Sequence, residues 1–112
     1  MIESILKTVR DSVVHDIECT DFDNELMPLI NSSLMTLNQV GVGVVGYRVT
    51  GEDQTWDEFL EGSNILEQTK DYVMISVRIV FDPPASSVVL AALQSIQKEY
   101  LWRLQHAAEE GV

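Results

Sequence analysis

Phe81-Asp82-Pro83-Pro84-Ala85-Ser86-Ser87 separates the two most apolar segments of the chain. Two consecutive prolines remove two backbone donors and fix φ at both positions, so whatever element runs up to Phe81 must end there. A new element begins at once, because Ser86 or Ser87 can accept from the first free N–H groups of a helix, and Pro84 or Ala85 suits its first turn. Asp82, Pro83, Pro84 and Ser86 therefore form a structural hinge, and the nature of the segments on either side of it decides the fold.

Downstream, residues 86 to 108 place Val89, Leu93, Ile96, Tyr100, Leu104 and Ala107 at helical spacing, with Val88, Ala92 and Trp102 widening the stripe. Its polar strip, Gln94, Gln97, Lys98 and Arg103, is narrow, so part of the apolar surface is available to another subunit. Glu109-Glu110-Gly111-Val112 reads as a frayed acidic tail. Upstream, residues 65 to 81 divide between two readings. Ile65, Leu66, Thr69, Tyr72, Val73, Ser76, Val77 and Val80 follow a helical period, whereas Val73, Ile75, Val77, Ile79 and Phe81 alternate as a strand does. The length of the segment and its polar, capped beginning favour a helix buried on nearly all sides. Ser63 or Asn64 would cap it, with Glu67 in its first turn.

Further back, Thr55-Trp56-Asp57-Glu58 has the spacing of a capping box, opening one or two turns through Phe59 and Leu60 that Gly62 closes. Residues 41 to 55 hold four of the six glycines and no helical period, which predicts a long loop, functional or mobile, with room for a short β-hairpin. Before it, Leu26, Leu29, Ile30, Leu34, Leu37 and Val40 form one stripe of a helix from about 22 to 39 that Gly41 ends. Pro28 either marks a late first turn of this helix or kinks it. The first helix spans residues 2 to about 17, with Ile2, Ile5, Leu6, Val9, Val13 and Ile17 on its apolar face. Acids between Asp16 and Asp23 then break it and offer caps for the second. The expected fold class is mainly α: a bundle of about four helices with a long Gly-rich loop between the second and third main helices.

Composition narrows the function classes. With 112 residues, 46% of them hydrophobic and 22% charged, the chain is expected to be one soluble domain, residues 1–112, around a single core. Its net charge of −11, from 7 Lys plus Arg against 18 Asp plus Glu, opposes any grip on DNA through phosphate contacts. Cys19 is alone, which suits a reducing compartment, and Met1-Ile2-Glu3-Ser4 lacks the basic flank and apolar run of a secretion signal. No apolar run approaches the ~20 residues of a membrane span.

Three chemical motifs can be weighed. Gly41-Val42-Gly43-Val44-Val45-Gly46 matches GxGxxG, but a helix precedes it and turn-forming residues follow, the reverse of the strand-to-helix setting that a dinucleotide site requires. His15 and Cys19, with Asp16, Glu18, Asp21 and Asp23, lack the further soft ligands of a zinc site. As an EF-hand from Asp16, the segment puts Asp21 at the glycine position and Met27 at the bidentate glutamate position. Asp53 with Asp57 or Glu58 has no apolar wall to raise a carboxylate pKa, and His15 and His106 lie near opposite ends of the chain. No enzyme, cofactor or metal is therefore expected. Aromatic and arginine side chains dominate interface energetics, which makes Trp102, Arg103, Tyr47, Arg48 and Trp56 the candidate interface residues, with Tyr100 assigned to the core.

Asn31 to Gly43, Thr55-Trp56-Asp57-Glu58-Phe59, Val77 to Ser87 and Glu99-Tyr100-Leu101-Trp102-Arg103-Leu104 together resemble the head-tail connector proteins of tailed bacteriophages and prophages. The phrase FDPPASS followed by an apolar helix ending in WRL is the most specific part. The resemblance implies a small helical virion protein without a catalytic site. It implies a ring, commonly of twelve copies, between the portal protein and a downstream neck or tail-completion protein, assembled in the host cytoplasm, with DNA passing through unbound. It also favours the helical reading of 65 to 81. From the residues alone, a small acidic module that binds a host protein as a nucleic-acid mimic remains the alternative, and a hydrolase or metal enzyme using the acidic cluster is a third.

Overall fold

The computed structural model describes residues 3–16 and 18–109. It has five helices in chain order: α1 Ile5–Val13, α2 Asp23–Gln39, α3 Trp56–Leu60, α4 Leu66–Phe81 and α5 Ser87–Glu109. The mainly helical expectation holds, and the alternating pattern of 73 to 81 belongs to a helix. Among the described residues there is no strand, only an isolated bridge between Ser4 and Thr55, so the loop forms no hairpin.

Helix α1 is shorter than its periodicity suggested. Ser4 caps it, its Oγ accepting from the Lys7 N–H at 3.3 Å, and His15 leaves helical geometry with φ +63. Its face of Ile5, Leu6, Val9 and Val13 is buried, and each of these side chains contributes roughly 1.5–3 kcal/mol by leaving water. Ile2, Ile17 and the tail beyond Glu109 lie outside the described residues.

Helix α2 runs continuously through Pro28 and buries Leu26, Ile30, Leu34 and Leu37. The acids before it were expected to cap it. Instead its N-cap is Phe22, with no side-chain cap bond, because Asp23 is engaged elsewhere. Arg10, fully buried, donates from Nε to Asp23 Oδ1 at 3.0 Å and from Nη2 to Asp23 Oδ2 at 2.6 Å, and also pairs with Glu52 Oε2 at 2.7 Å. This bidentate grip ties α1 to the start of α2 and to the far end of the glycine-rich loop. The Asp23 bond, reinforced by Glu52, raises the guanidinium pKa further, so the cation persists at every accessible pH.

At its other end α2 closes as a Schellman motif: the Val42 N–H reaches Leu37 O at 2.9 Å and the Gly41 N–H reaches Asn38 O at 3.0 Å. The loop beyond is held by side chains in place of a strand partner. The Asn31 amide accepts from the Val49 N–H at 2.7 Å and donates to the Val49 carbonyl at 3.0 Å, as a neighbouring strand would. Asn38 donates to the carbonyls of Val42 and Val44, and the Val44 N–H donates to Phe59 O at 2.9 Å.

The capping box at Thr55 forms as its spacing predicts, with the Glu58 N–H on Thr55 Oγ1 at 3.2 Å and the Thr55 N–H on Glu58 Oε1 at 3.2 Å. Glu61, in the left-handed region, and Gly62 end α3. Helix α4 starts without a side-chain cap: Ile65 takes the N-cap position in place of Ser63 or Asn64, and the buried Ser63 Oγ has no partner among the described residues.

Helix α4 is the centre of the molecule, packing on α1, α2 and α5. It is not buried on all sides, however. Thr69, Tyr72, Val73 and Val77 are enclosed, whereas Arg78 is exposed and Val80 is 64% exposed. Helix α5 lies against α4 and buries only Leu104 completely. Gln97 Nε2 to Ser76 Oγ at 2.9 Å and Tyr100 OH to Asp71 Oδ2 at 3.1 Å hold the two helices together.

Candidate interaction surface

The Pro83–Pro84 turn sets where α5 begins. Asp82 ends α4 with its N–H on Arg78 O at 2.9 Å, the prolines carry the chain out of the helix, and Ser86 caps α5, its Oγ accepting from the Val89 N–H at 3.3 Å. The helix then leaves its first three turns largely outside the core. Val88 is 77% exposed, Val89 45% and Ile96 39%. The stripe assigned to α5 from sequence is thus rotated: Leu104 is buried and Leu93 lies beside Met74, Ile75 and Arg78 of α4, while Val89 and Ile96 are exposed.

The candidate interface residues separate into three groups. Trp102 and Arg103 lie on the outer side of α5. Trp102 is 60% exposed and stacks at a tilt on His106, with ring centroids 4.2 Å apart, and Arg103 pairs with Glu99 at 2.9 Å. Trp102 therefore does not widen the core stripe as the spacing suggested. Tyr100 is half-buried against the core.

Tyr47 and Arg48 sit together in the glycine-rich loop. The Tyr47 ring packs at a tilt on Phe59, centroids 5.8 Å apart, and its hydroxyl donates to Glu58 Oε1 at 2.7 Å. Partial burial and the Glu58 carboxylate push the Tyr47 pKa up to about 12. The same bond, with the Thr55 N–H, holds Glu58 below the ordinary carboxylate range, the opposite of what a general acid at neutral pH requires. Arg48 is exposed and has no ion pair or hydrogen bond among the described residues.

Trp56 belongs to neither surface. It is 1% exposed, and its Nε1 donates to Thr8 Oγ1 at 3.1 Å, because backbone bonds from Ile5 N to Gln54 O and from Trp56 N to Glu3 O pin the starts of α1 and α3 together. It is a core residue, not an interface residue.

A groove of about 370 Å³ lies between α2 and the glycine-rich loop, bounded by Asn31, Met35, Asn38, Val45, Tyr47 and Arg48. Met35 is 56% exposed and Val45 82%. Neither is an aromatic or an arginine, the residue types that usually mark an interface. The signal that finds them is the absence of charge: residues 26–47 and 83–97 carry no Asp, Glu, Lys or Arg and are the two longest such stretches in a chain of net charge −11. The groove is on the first and the exposed beginning of α5 on the second.

No helix of the described residues is long and apolar enough to cross a membrane. No curated protein and no solved structure matches the chain. A family model described as phage connector protein matches residues 5–111, taking in all five helices, both uncharged stretches and the proline hinge. By that match the chain belongs to the phage connector protein family, structural components of the head-tail neck.

Proposed function

We propose that this chain, as one connector domain, assembles as a ring of about twelve copies between the portal and the next neck or tail-completion protein of a tailed phage. It is a platform for tail joining and a collar through which DNA passes, assembled in the host cytoplasm and retained in the virion. The family match over residues 5–111 carries this reading. Two features of the molecule support it. Apolar side chains on α4 and α5, Val80, Val88, Val89 and Ile96 among them, remain exposed in a single copy, as they would in a subunit that buries them against neighbours. The charge of −11 also suits a conduit, since duplex phosphates are repelled and not held.

Sedimentation velocity of the chain, alone and mixed with its portal, tests the reading. Rings or portal-bound assemblies are expected. A chain that stays monomeric and leaves portals untouched would overturn it, and capture of a basic DNA-binding protein instead would favour an acidic mimic.

A further inference from the structure

A ring with rotational symmetry joins two different patches of the same subunit, one on each flank. Subunits of charge −11 repel one another wherever their acids meet, so the joining patches are best sought where the surface is neutral. The chain offers two such patches, and both expose apolar side chains. One is the groove at Met35 and Val45; the other is the beginning of α5 at Val88 and Val89. They are separate. The α2 residues that face α4 and α5, such as Leu29 and Thr36, are on another side of the helix from Met35 and Asn38.

Each patch is bordered by an unpaired charge, Arg48 at the groove and Asp82 ahead of α5, and these two charges are opposite; Arg78, also exposed, stands on the α4 side of α5 beside Leu93. Arg48 stands at the groove with no ion pair or hydrogen bond among the described residues. Asp82, just ahead of α5, is likewise exposed and makes no side-chain hydrogen bond or ion pair among the described residues. Most of the other cations are already engaged: Lys7 and Arg10 with Glu52, Lys70 with Glu3, Arg103 with Glu99.

We propose that the groove of one copy receives the exposed beginning of α5 from the next, with Val88 and Val89 against Met35 and Val45 and with Arg48 paired to Asp82 across the junction. This inference rests on the ring reading and names its contact. A concave apolar site receiving an apolar helix face is the usual helix-in-groove arrangement. The proline hinge is then the device that presents the helix, because it sets the direction in which α5 leaves the core.

Disulfide trapping tests it, in a Cys19→Ser background so that only introduced thiols react. Val45→Cys and Val88→Cys in the same chain should give, on mild oxidation, a covalent ladder climbing beyond dimer, while either substitution alone leaves the chain essentially monomeric on a denaturing gel, because a head-to-tail contact gives it no facing thiol. Arg48→Asp should lower the assembled fraction at least tenfold, and adding Asp82→Arg should restore most of it, with unchanged far-UV circular dichroism showing that the fold survives. A ladder with charge-swap rescue supports the contact. Rings that form without a ladder and ignore Arg48→Asp overturn the contact and leave the ring reading intact; strong dimers from Val88→Cys alone overturn it in favour of symmetric α5 pairing. A parent chain that forms no assembly with or without portal removes both.

Discussion

Gly43 has the tightest surroundings of the described glycines, and its replacement by alanine separates two costs that are usually entangled. Gly43 has φ +82, and a Cβ built on it would overlap the ring of Phe59, which is fully buried. Gly46 has nearly the same backbone, φ +83, with nothing within 4 Å of the added carbon. Both substitutions incur about 1–2 kcal/mol for a left-handed non-glycine residue. Both recover ~0.4–1 kcal/mol because the unfolded chain loses freedom. Only Gly43→Ala must also displace a packed aromatic ring, which costs a further ~1–3 kcal/mol. Phe59 cannot swing aside cheaply, because it fills the space under Tyr47 and its carbonyl accepts from Val44. Gly43→Ala should therefore be about 2 kcal/mol less stable than Gly46→Ala. In urea unfolding, at about 1.5 kcal/mol per molar, that is a midpoint lower by more than 1 M. Two variants within about 0.5 kcal/mol of each other, the range of ordinary surface substitutions, would refute the close approach of the loop to Phe59.

Three further outcomes follow from the same structure. Arg10→Ala should lower stability by roughly 3 kcal/mol in urea unfolding, the low end for breaking a buried pair, because Asp23 and Glu52 are partly exposed and regain water; a loss under about 1 kcal/mol would show the grip to be dispensable. The Tyr47–Glu58 bond makes stability fall at both pH extremes. The Tyr47 value lies above its unfolded 10.0, so its contribution is complete below pH 10 and is lost as pH rises through about 12; the Glu58 value lies below 4.5, so its contribution is present above that and lost as pH falls through the lowered value. Urea midpoints of Tyr47→Phe should show shallower losses at both ends, and parallel curves for variant and parent would contradict the assignment. Replacing Pro83 and Pro84 by alanine should reduce assembly while leaving far-UV helicity unchanged, since the prolines set the exit of α5 and not its hydrogen bonds; normal assembly would reduce the hinge to punctuation.

What could be read in advance depended on how far apart the deciding residues were. The stripes of α1 and α2 and the capping box at Thr55–Glu58 are local, and their spacing alone fixes them. The Ser86 cap after two prolines is equally local. Three of the misreadings involve distant partners. Asp23 did not cap α2 because Arg10, thirteen residues back, holds it, and the same Arg10 reaches forward to Glu52. Trp56 looked like a surface aromatic in the first turn of a short helix; its partner Thr8 is 48 residues away. The hairpin did not form because Asn31 supplies from α2 the hydrogen bonds that a second strand would have given Val49. The glycine-rich motif contains a close packing contact that its pattern did not announce, with Gly43 against Phe59. Of the candidate surface, Arg48, Trp102 and Arg103 are exposed, whereas Met35 and Val45 lie in an uncharged stretch that marks the region but not the groove, which forms only when the loop folds onto α2.

Electron cryomicroscopy of portal assemblies incubated with the purified chain tests the central claim most directly. The account predicts a closed ring of added density beneath the portal, its subunits fitted by the five-helix fold with the beginning of α5 on the neighbouring copy. Portals that carry no added density, or that bind isolated copies without contact between them, would contradict it.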